Sequence, residues 1–403
     1  MMRWQSGRRL LCGSSVTLVS LAACMGQTGG SPATTTTAMA SSQTLQDQVL
    51  RGRGSVASSA CGDCHGPGTG NPAAAGWLAG RMTPQQDFPV GPFMTRPRNL
   101  TPDSTTGIGR YSDRQIFNAL RYGLRPSMTP DVEITSSTPG QGNHPAKPNY
   151  LAPTMPWVEW RHKPDAELRA IVAYLRHGLK PVTNKVEDSQ APPDFWASEY
   201  TVAKIGPYPA TPFPTANEVT GQGDQAKVIR GRATLIKNGC GGCHGGGGNP
   251  ASKDWLAGIK DTTGEFKIGP FKTRPRNLTP DNTTGTGRFT ERQIFNALRF
   301  GLRPGETPDV EITSTIPGQG NFPAVPKYLA VPMPWPSWRH MSDDDLWAIA
   351  AYLKHGVKPV RNKVADSEGP PDFWASAYTV EKIGTYPAAP FPTANERPVN
   401  RSP

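Results

Sequence analysis

The chain is written twice. Arg51-Gly52-Arg53 returns as Arg230-Gly231-Arg232, and Arg96-Pro97-Arg98-Asn99-Leu100-Thr101-Pro102-Asp103 returns as Arg274-Pro275-Arg276-Asn277-Leu278-Thr279-Pro280-Asp281. Phe213-Pro214-Thr215-Ala216-Asn217-Glu218 returns as Phe391-Pro392-Thr393-Ala394-Asn395-Glu396, and the only change of length is one residue lost in the glycine loop after His244. A period of about 178 residues is too long for a stacked solenoid repeat. It predicts two tandem domains, residues 44–221 and 222–403. Because every recognisable element is paired within its own copy, each half is expected to fold alone.

Three helices are legible per copy. The first precedes the Cys-rich motif, at about 45–60 and 225–238. The second starts at an N-cap, Ser112 or Thr290, carries Ile116 and Leu120 (Ile294 and Leu298), and stops at Gly123 or Gly301. The third spaces Leu168, Ile171, Val172 and Leu175 at i, i+3, i+4 and i+7, matched by Leu346, Ile349, Ala350 and Leu353. Pro164 marks its start in one copy, Ser342 with Asp345 in the other. No alternating strand of any length is evident, so the fold class is all-α. With 43 Gly and 43 Pro in 403 residues, the connections are expected to be long ordered loops.

Both copies contain C-x-x-C-H, as Cys61-Gly62-Asp63-Cys64-His65 and Cys240-Gly241-Gly242-Cys243-His244. This is the c-type haem attachment pattern: two thiols form thioethers with one porphyrin and the adjacent His ligates the iron. A zinc site needs further ligands, and no Cys remains outside the signal region. A redox dithiol needs a βαβ surround, which is not found. Two covalent haem c groups are therefore expected, with His65 and His244 on the irons.

The other axial position admits Met, a second His or an open site. A ligand needed by both haems should occur in both copies. Of the ten Met residues only Met155 and Met333 are in register, each as Met-Pro-Trp. A rigid Pro loop suits a thioether held at iron, although core packing would also account for the motif. His162/His340 and His177/His355 are rivals. The former pair is expected near the surface, the latter in the last turn of the third helix, where it serves the helix dipole. His144 faces Phe322 and is no common ligand.

Arg3, Arg8 and Arg9 precede an apolar stretch ending in Leu21-Ala22-Ala23-Cys24, which resembles a bacterial lipobox. Residues 1–23 are expected to be a lipoprotein signal, with Cys24 acylated and residues 24–43 a flexible tether. Ordinary cleavage leaving Cys24 as a free thiol is the alternative. The stretch is too short and interrupted to span a bilayer. Net charge is +11. Yet no basic run exceeds two residues, which argues against nucleic-acid binding. The second half is the more basic, with 23 basic and 17 acidic residues against 17 and 15 in the first.

The haem motif, Arg-Asn-Leu-Thr-Pro-Asp, Thr-Gly-Ile-Gly-Arg-Tyr, Met-Pro-Trp and a final Ala-Tyr-Leu-Arg helix resemble class I c-type cytochrome domains. The likeness is greatest to cytochrome subunits of bacterial periplasmic alcohol and aldehyde dehydrogenases, over about 45–180 and 225–358. The Pro-rich extensions 181–218 and 359–396 exceed the ordinary domain. Such subunits commonly carry three haems, whereas this chain has two near-identical copies. The resemblance implies His65 and His244 as proximal ligands and Met155 and Met333 as distal ones. Arg96, Arg98, Arg274 and Arg276 are then candidates for the haem propionates, or are simply parts of an ordered loop. Trp157 and Trp335 are candidates for a haem edge or for the core.

The function expected from these readings is a lipid-anchored periplasmic dihaem carrier, not itself an enzyme, passing single electrons between redox proteins whose identity the sequence leaves open. A cytochrome subunit of a membrane-bound dehydrogenase or oxidase complex is the alternative. A dihaem peroxidase needs unlike haems, and a thiosulfate-type site needs a Cys ligand; neither suits two near copies.

Overall fold

Helix boundaries follow from side chains that stand in for missing backbone partners. The computed structural model describes residues 34–68, 70–191, 195–260, 264–370 and 373–399. Cys24, the expected signal and the start of the expected tether lie outside them. The first half contributes α1 (Thr34–Ser58), α2 (Cys61–His65), strands β1 (Phe88–Val90) and β2 (Phe93–Thr95), α3 (Asp113–Tyr122), α4 (Trp157–Trp160), α5 (Asp165–Ala173) and α6 (Val202–Ile205). The second contributes α7 (Gln225–Lys237), α8 (Cys240–His244), β3 (Phe266–Ile268), β4 (Phe271–Thr273), α9 (Glu291–Phe300), α10 (Trp335–Trp338), α11 (Asp343–His355) and α12 (Val380–Ile383). Among the described residues, no helix is long and apolar enough to cross a membrane.

Helix α3 opens on a reciprocal cap: Ser112 Oγ accepts from Gln115 N, and Gln115 Oε1 accepts from Ser112 N, each at 3.1 Å. Thr290 and Gln293 repeat this at α9. Gly123 and Gly301 close the two helices with φ of 68° and 69°, where a side chain would be strained. The core of each half is a helix crossing, α1 with α5 in the first and α7 with α11 in the second. A Cβ on Gly52 would lie 1.8 Å from the Ala170 carbonyl oxygen, and one on Gly231 1.8 Å from that of Ala348. Only glycine permits this approach, which explains the duplicated Arg-Gly-Arg. Around the crossing Val49, Val56, Leu168, Ile171 and Tyr174 pack with Cys61 and Trp77, and Val228, Leu235, Leu346, Ile349 and Tyr352 with Cys240 and Trp255.

The fold is helical, but three expectations need amendment. Each half adds an antiparallel hairpin, β1–β2 and β3–β4, whose three-residue strands are too short for an alternating pattern to show. Helix α1 begins at Thr34, earlier than the tether reading supposed, and α5 continues into a π-helical turn over Tyr174–Gly178 that α11 lacks.

The largest difference concerns self-containment. The tail of each half lies on the other half. Residues 391–396 pair with the first half through a bridge of Leu179 with Glu396, and residues 213–218 pair with the second through Glu218 with Val357. Glu396, buried, accepts from Arg53 Nε at 2.7 Å and from the Tyr174 hydroxyl at 2.5 Å. Glu218 does the same for Arg232, at 2.6 Å, and Tyr352. Asn395 Nδ2 donates to the carbonyls of Pro72 and Ala74, and Asn217 Nδ2 to that of Ser252. Each half therefore holds an Arg, part-buried in Arg53 and buried in Arg232, and a buried Tyr whose shared carboxylate is supplied by the other. These contacts cross the expected boundary between residues 221 and 222.

Candidate haem sites

Each C-x-x-C-H motif forms a single helical turn entered through a left-handed residue, Ala60 before α2 and Gly239 before α8, at φ 58° and 71°. Cys61 and Cys240 are buried in their clusters, while Cys64 is half-buried and Cys243 exposed. Burial pushes the Cys61 and Cys240 thiols up to about 12. That is the opposite of the depressed value that marks a reactive dithiol.

Both histidines are oriented by backbone. His65 Nδ1 donates to the Arg98 carbonyl at 2.7 Å, and His244 Nδ1 to the Arg276 carbonyl at 2.7 Å. Burial lowers both pKa values despite these bonds, so the rings are neutral. With Nδ1 carrying the proton, Nε2 is the free lone pair, the tautomer and orientation required of a metal ligand. The same turns are pinned by Gly80 N to His65 O and Gly258 N to His244 O, both 2.8 Å. In each motif, one buried thiol, a second thiol three residues on and an oriented imidazole form a donor set that fits a covalently attached haem.

Met155 and Met333 are half-buried and pack against the clusters that contain Cys61 and Cys240. Their loops are anchored by the next aromatic. Trp157 stacks on Tyr150 at 5.6 Å and 6°, and Trp335 on Tyr328 at 5.6 Å and 5°. A Cβ on Gly123 would meet the Trp157 ring at 2.2 Å, so the glycine ending α3 also admits the tryptophan that fixes the Met loop. Both tryptophans are buried core residues.

The rival histidines have other partners. His162 and His340 are half-buried and lie tilted on Tyr208 and Tyr386 at 5.4 and 5.5 Å. Burial, then the adjoining Arg161 or Arg339, lowers each to about 3. His355 Nε2 bonds Glu291 at 2.8 Å. His144 is buried beside Tyr122. The guanidinium groups proposed for propionates meet carboxylates of the chain itself. Arg96 pairs with Asp87 at 3.2 Å, Arg98 with Asp188 at 2.8 Å, Arg274 with Glu265 at 2.9 Å, and Arg276 with Asp366.

Two groups of contacts were missed at the level of sequence. Trp77 Nε1 donates to the Tyr174 hydroxyl at 3.0 Å, which itself donates to Glu396, so the other half's tail reaches the segment behind the attachment turn. Trp255, Tyr352 and Glu218 repeat the chain, and a Cβ on Gly241 would strike the Trp255 ring at 2.3 Å. The duplicated Phe-Pro-Thr-Ala-Asn-Glu was the available signal. Second, the turn after each Met loop abuts the other half's attachment region. A Cβ on Gly242 would lie 3.4 Å from Glu159 Oε1, and one on Gly70 3.3 Å from Ser337 Oγ.

No family model matches the chain. It is 26% identical over 330 residues to the gluconate 2-dehydrogenase cytochrome c subunit of Pantoea cypripedii, covering 79% of this chain and 61% of that protein. It is 28% identical over 318 residues to the quinone alcohol dehydrogenase cytochrome c subunit of Gluconobacter oxydans (strain 621H), covering 76% and 55%. To the fructose dehydrogenase cytochrome subunit of Gluconobacter japonicus it is 25% identical over 265 residues, covering 63% and 45%. The chain thus spans about half to three fifths of the length of these relatives. Over most of its own length, it is similar to the cytochrome c subunits of gluconate, quinone alcohol and fructose dehydrogenases.

Proposed function

We propose that this chain is the electron-transferring cytochrome c subunit of a membrane-bound dehydrogenase complex on the periplasmic side of a bacterial membrane. It carries two covalent haem c groups, one per half, and a lipid anchor at Cys24. The observation that carries the reading is the pair of C-x-x-C-H turns, each with its histidine Nδ1 bonded to a backbone carbonyl at 2.7 Å so that Nε2 is left for iron. The likeness to dehydrogenase cytochrome subunits supports a subunit over a free carrier.

In this reading Cys61, Cys64, Cys240 and Cys243 form the thioethers. His65 and Met155 ligate one iron, His244 and Met333 the other. A haem with imidazole and thioether ligands supplies one-electron exchange at a raised potential. The protein's part is to hold those ligands still. The Arg98 and Arg276 carbonyls fix the imidazoles, and the Trp157 and Trp335 stacks fix the thioether loops. With His65 and Met155 on one iron and His244 and Met333 on the other, no position would be left for a substrate, and substrate chemistry would belong to the partner enzyme.

Intact mass of the exported protein should show two haems. The pair Cys61→Ala/Cys64→Ala and the pair Cys240→Ala/Cys243→Ala should each remove one. Gentle detergent extraction should bring the chain out with a dehydrogenase, and Cys24→Ser should release it from membranes. Recovery of the haem-loaded chain alone under those conditions would return it to a free carrier, and a mass without haem would sink the reading.

A further inference from the structure

The two copies act as controls for one another, and they part company on one face. Lys260, Lys267, Lys272 and Arg361 stand where the first half has Met82, Pro89, Met94 and Thr183, and Ala365 where it has Glu187; three exchanges run the other way, Ile259 for Arg81, Asp261 for Thr83 and Glu368 for Gln190, which leaves the second half two charges more positive over these segments. These cations come from three segments that the backbone brings together. Lys267 and Lys272 are register partners across β3–β4 and so share one face of the hairpin. Glu368 N donates to the Lys272 carbonyl at 2.9 Å, and Ile259 N to the Pro275 carbonyl at 3.2 Å, which ties in the segment bearing Lys260. Asn362 Nδ2, next to Arg361, donates to the Ala257 carbonyl at 2.7 Å.

All three segments converge on Gly258 and Arg276, the residues whose backbone holds His244. The segments that carry these cations are thus continuous with the backbone that holds His244. Lys272 is paired with Glu265 at 3.1 Å. Lys260, Lys267 and Arg361 are exposed and have no ion pair among the described residues; Asp261, in the same segment, lies outside them. Like charges set directly opposite on a hairpin destabilise it. Lys267 opposite Lys272 is thus a local cost that the first half, with Pro89 opposite Met94, avoids.

We propose that this face docks an acidic surface of a one-electron redox protein, so that the complex exchanges electrons through its second half. The inference rests on the two-haem reading. The exchange is of one electron, lost by one centre and gained by the other, with no bond made or broken. A protein is favoured over an anionic bilayer because Glu265, Asp366 and Glu368 are set among the cations. A fixed mosaic of both signs matches a complementary protein patch, whereas a uniformly negative membrane would meet those carboxylates in repulsion.

The test measures binding apart from electron transfer. An oxidised, fluorescently labelled acidic blue-copper protein is titrated with the full haem-loaded chain at low ionic strength. K260E/K267E/K272E should weaken binding about tenfold or more, an effect that disappears near molar salt as charges are screened. The matching first-half variant M82E/P89E/M94E should change it less than about twofold. If the charge-reversed protein does not keep its visible and far-ultraviolet spectra, K260Q/K267Q/K272Q should show the same direction with a smaller change. Equal effects in both halves, or none in either, overturn the proposal. So does salt-reversible binding to phosphatidylglycerol vesicles that the triple variant abolishes while the blue-copper titration is unaltered. A chain found without haem would fail the functional reading, while this titration would still report whether the face binds an acidic protein.

Discussion

The two halves agree where they hold the attachment turn and diverge where they meet solvent or each other. The histidine–carbonyl bond, the capped middle helix, the glycine crossing and the carboxylate clasp recur with the same atoms and nearly the same distances. By contrast Asp63 is replaced by Gly242, Glu159 by Ser337, and Arg169 by Trp347. A duplicated chain repeats what the cofactor requires and is free to vary elsewhere. The first halves of these pairs are informative because one molecule contains both versions.

Removing a clasp carboxylate should have the largest effect. Glu396→Ala removes the buried carboxylate that Arg53 and Tyr174 share, leaving Arg53 with the Ala389 carbonyl and Tyr174 with the Trp77 indole, and loss of one member of a buried pair costs about 3–5 kcal/mol. The damage should appear in the first half, where hydrogen exchange along 49–57 and 168–175 should quicken. Glu218→Ala should do the same to the second half. If each variant loosened the half in which its residue is encoded, the exchanged-tail description would be wrong.

Gly52→Ala and Gly231→Ala come next, at about 1–3 kcal/mol each by overpacking a helix crossing, and the two should lower the melting temperature alike. A difference between them would show that the π-helical turn after α5 relaxes one crossing and not the other.

The duplicated loop Asp offers a pH test. Asp103 and Asp281 each accept from the backbone and hydroxyls of two threonines, and these bonds hold Asp281 down to about 2 and shift Asp103 in the same direction. A folded pKa below the unfolded one means the contribution is complete above about pH 4, the unfolded carboxylate range. It is lost as pH falls toward 2. Acid unfolding curves of Asp103→Asn and Asp281→Asn should therefore be flatter in that window than the parent's. Unchanged curves would mean that the loops open before the carboxylates titrate.

Smallest is the groove beside α3. Trp347 stacks on Phe295 at 4.4 Å and 16°, whereas Arg169 lies over Phe117 at 4.8 Å. Arg169→Trp should import the aromatic pair into the first half and stabilise it by about 0.5–1.5 kcal/mol. A loss of stability would show that the two grooves differ in backbone as well as in side chain.

What could be read without coordinates was local. Ser112 with Gln115, Thr290 with Gln293, and the glycines after each helix declare α3 and α9 within a few residues. The apolar spacing of Leu168 and Leu346 declares α5 and α11. The histidines and cysteines carry their meaning in adjacency. The clasp could not be read, because Arg53 and Glu396 are 343 residues apart and no periodicity links them. The duplicated tail motif showed that something was repeated, but a pairing within a copy and a pairing across copies leave the same sequence. The role of Arg98 and Arg276 was hidden for another reason: it lies in a carbonyl that every residue type possesses.

The central claim is that both irons are closed by His and Met in equivalent sites. The direct measurement is the weak red absorption band of Met-ligated ferric haem, recorded on the oxidised full chain. Met155→Ala and Met333→Ala should each remove about half of it and open that iron to cyanide or carbon monoxide, while His162→Ala and His340→Ala leave it intact. A band that survives loss of both methionines, or an unmutated haem that binds carbon monoxide rapidly, would contradict the account.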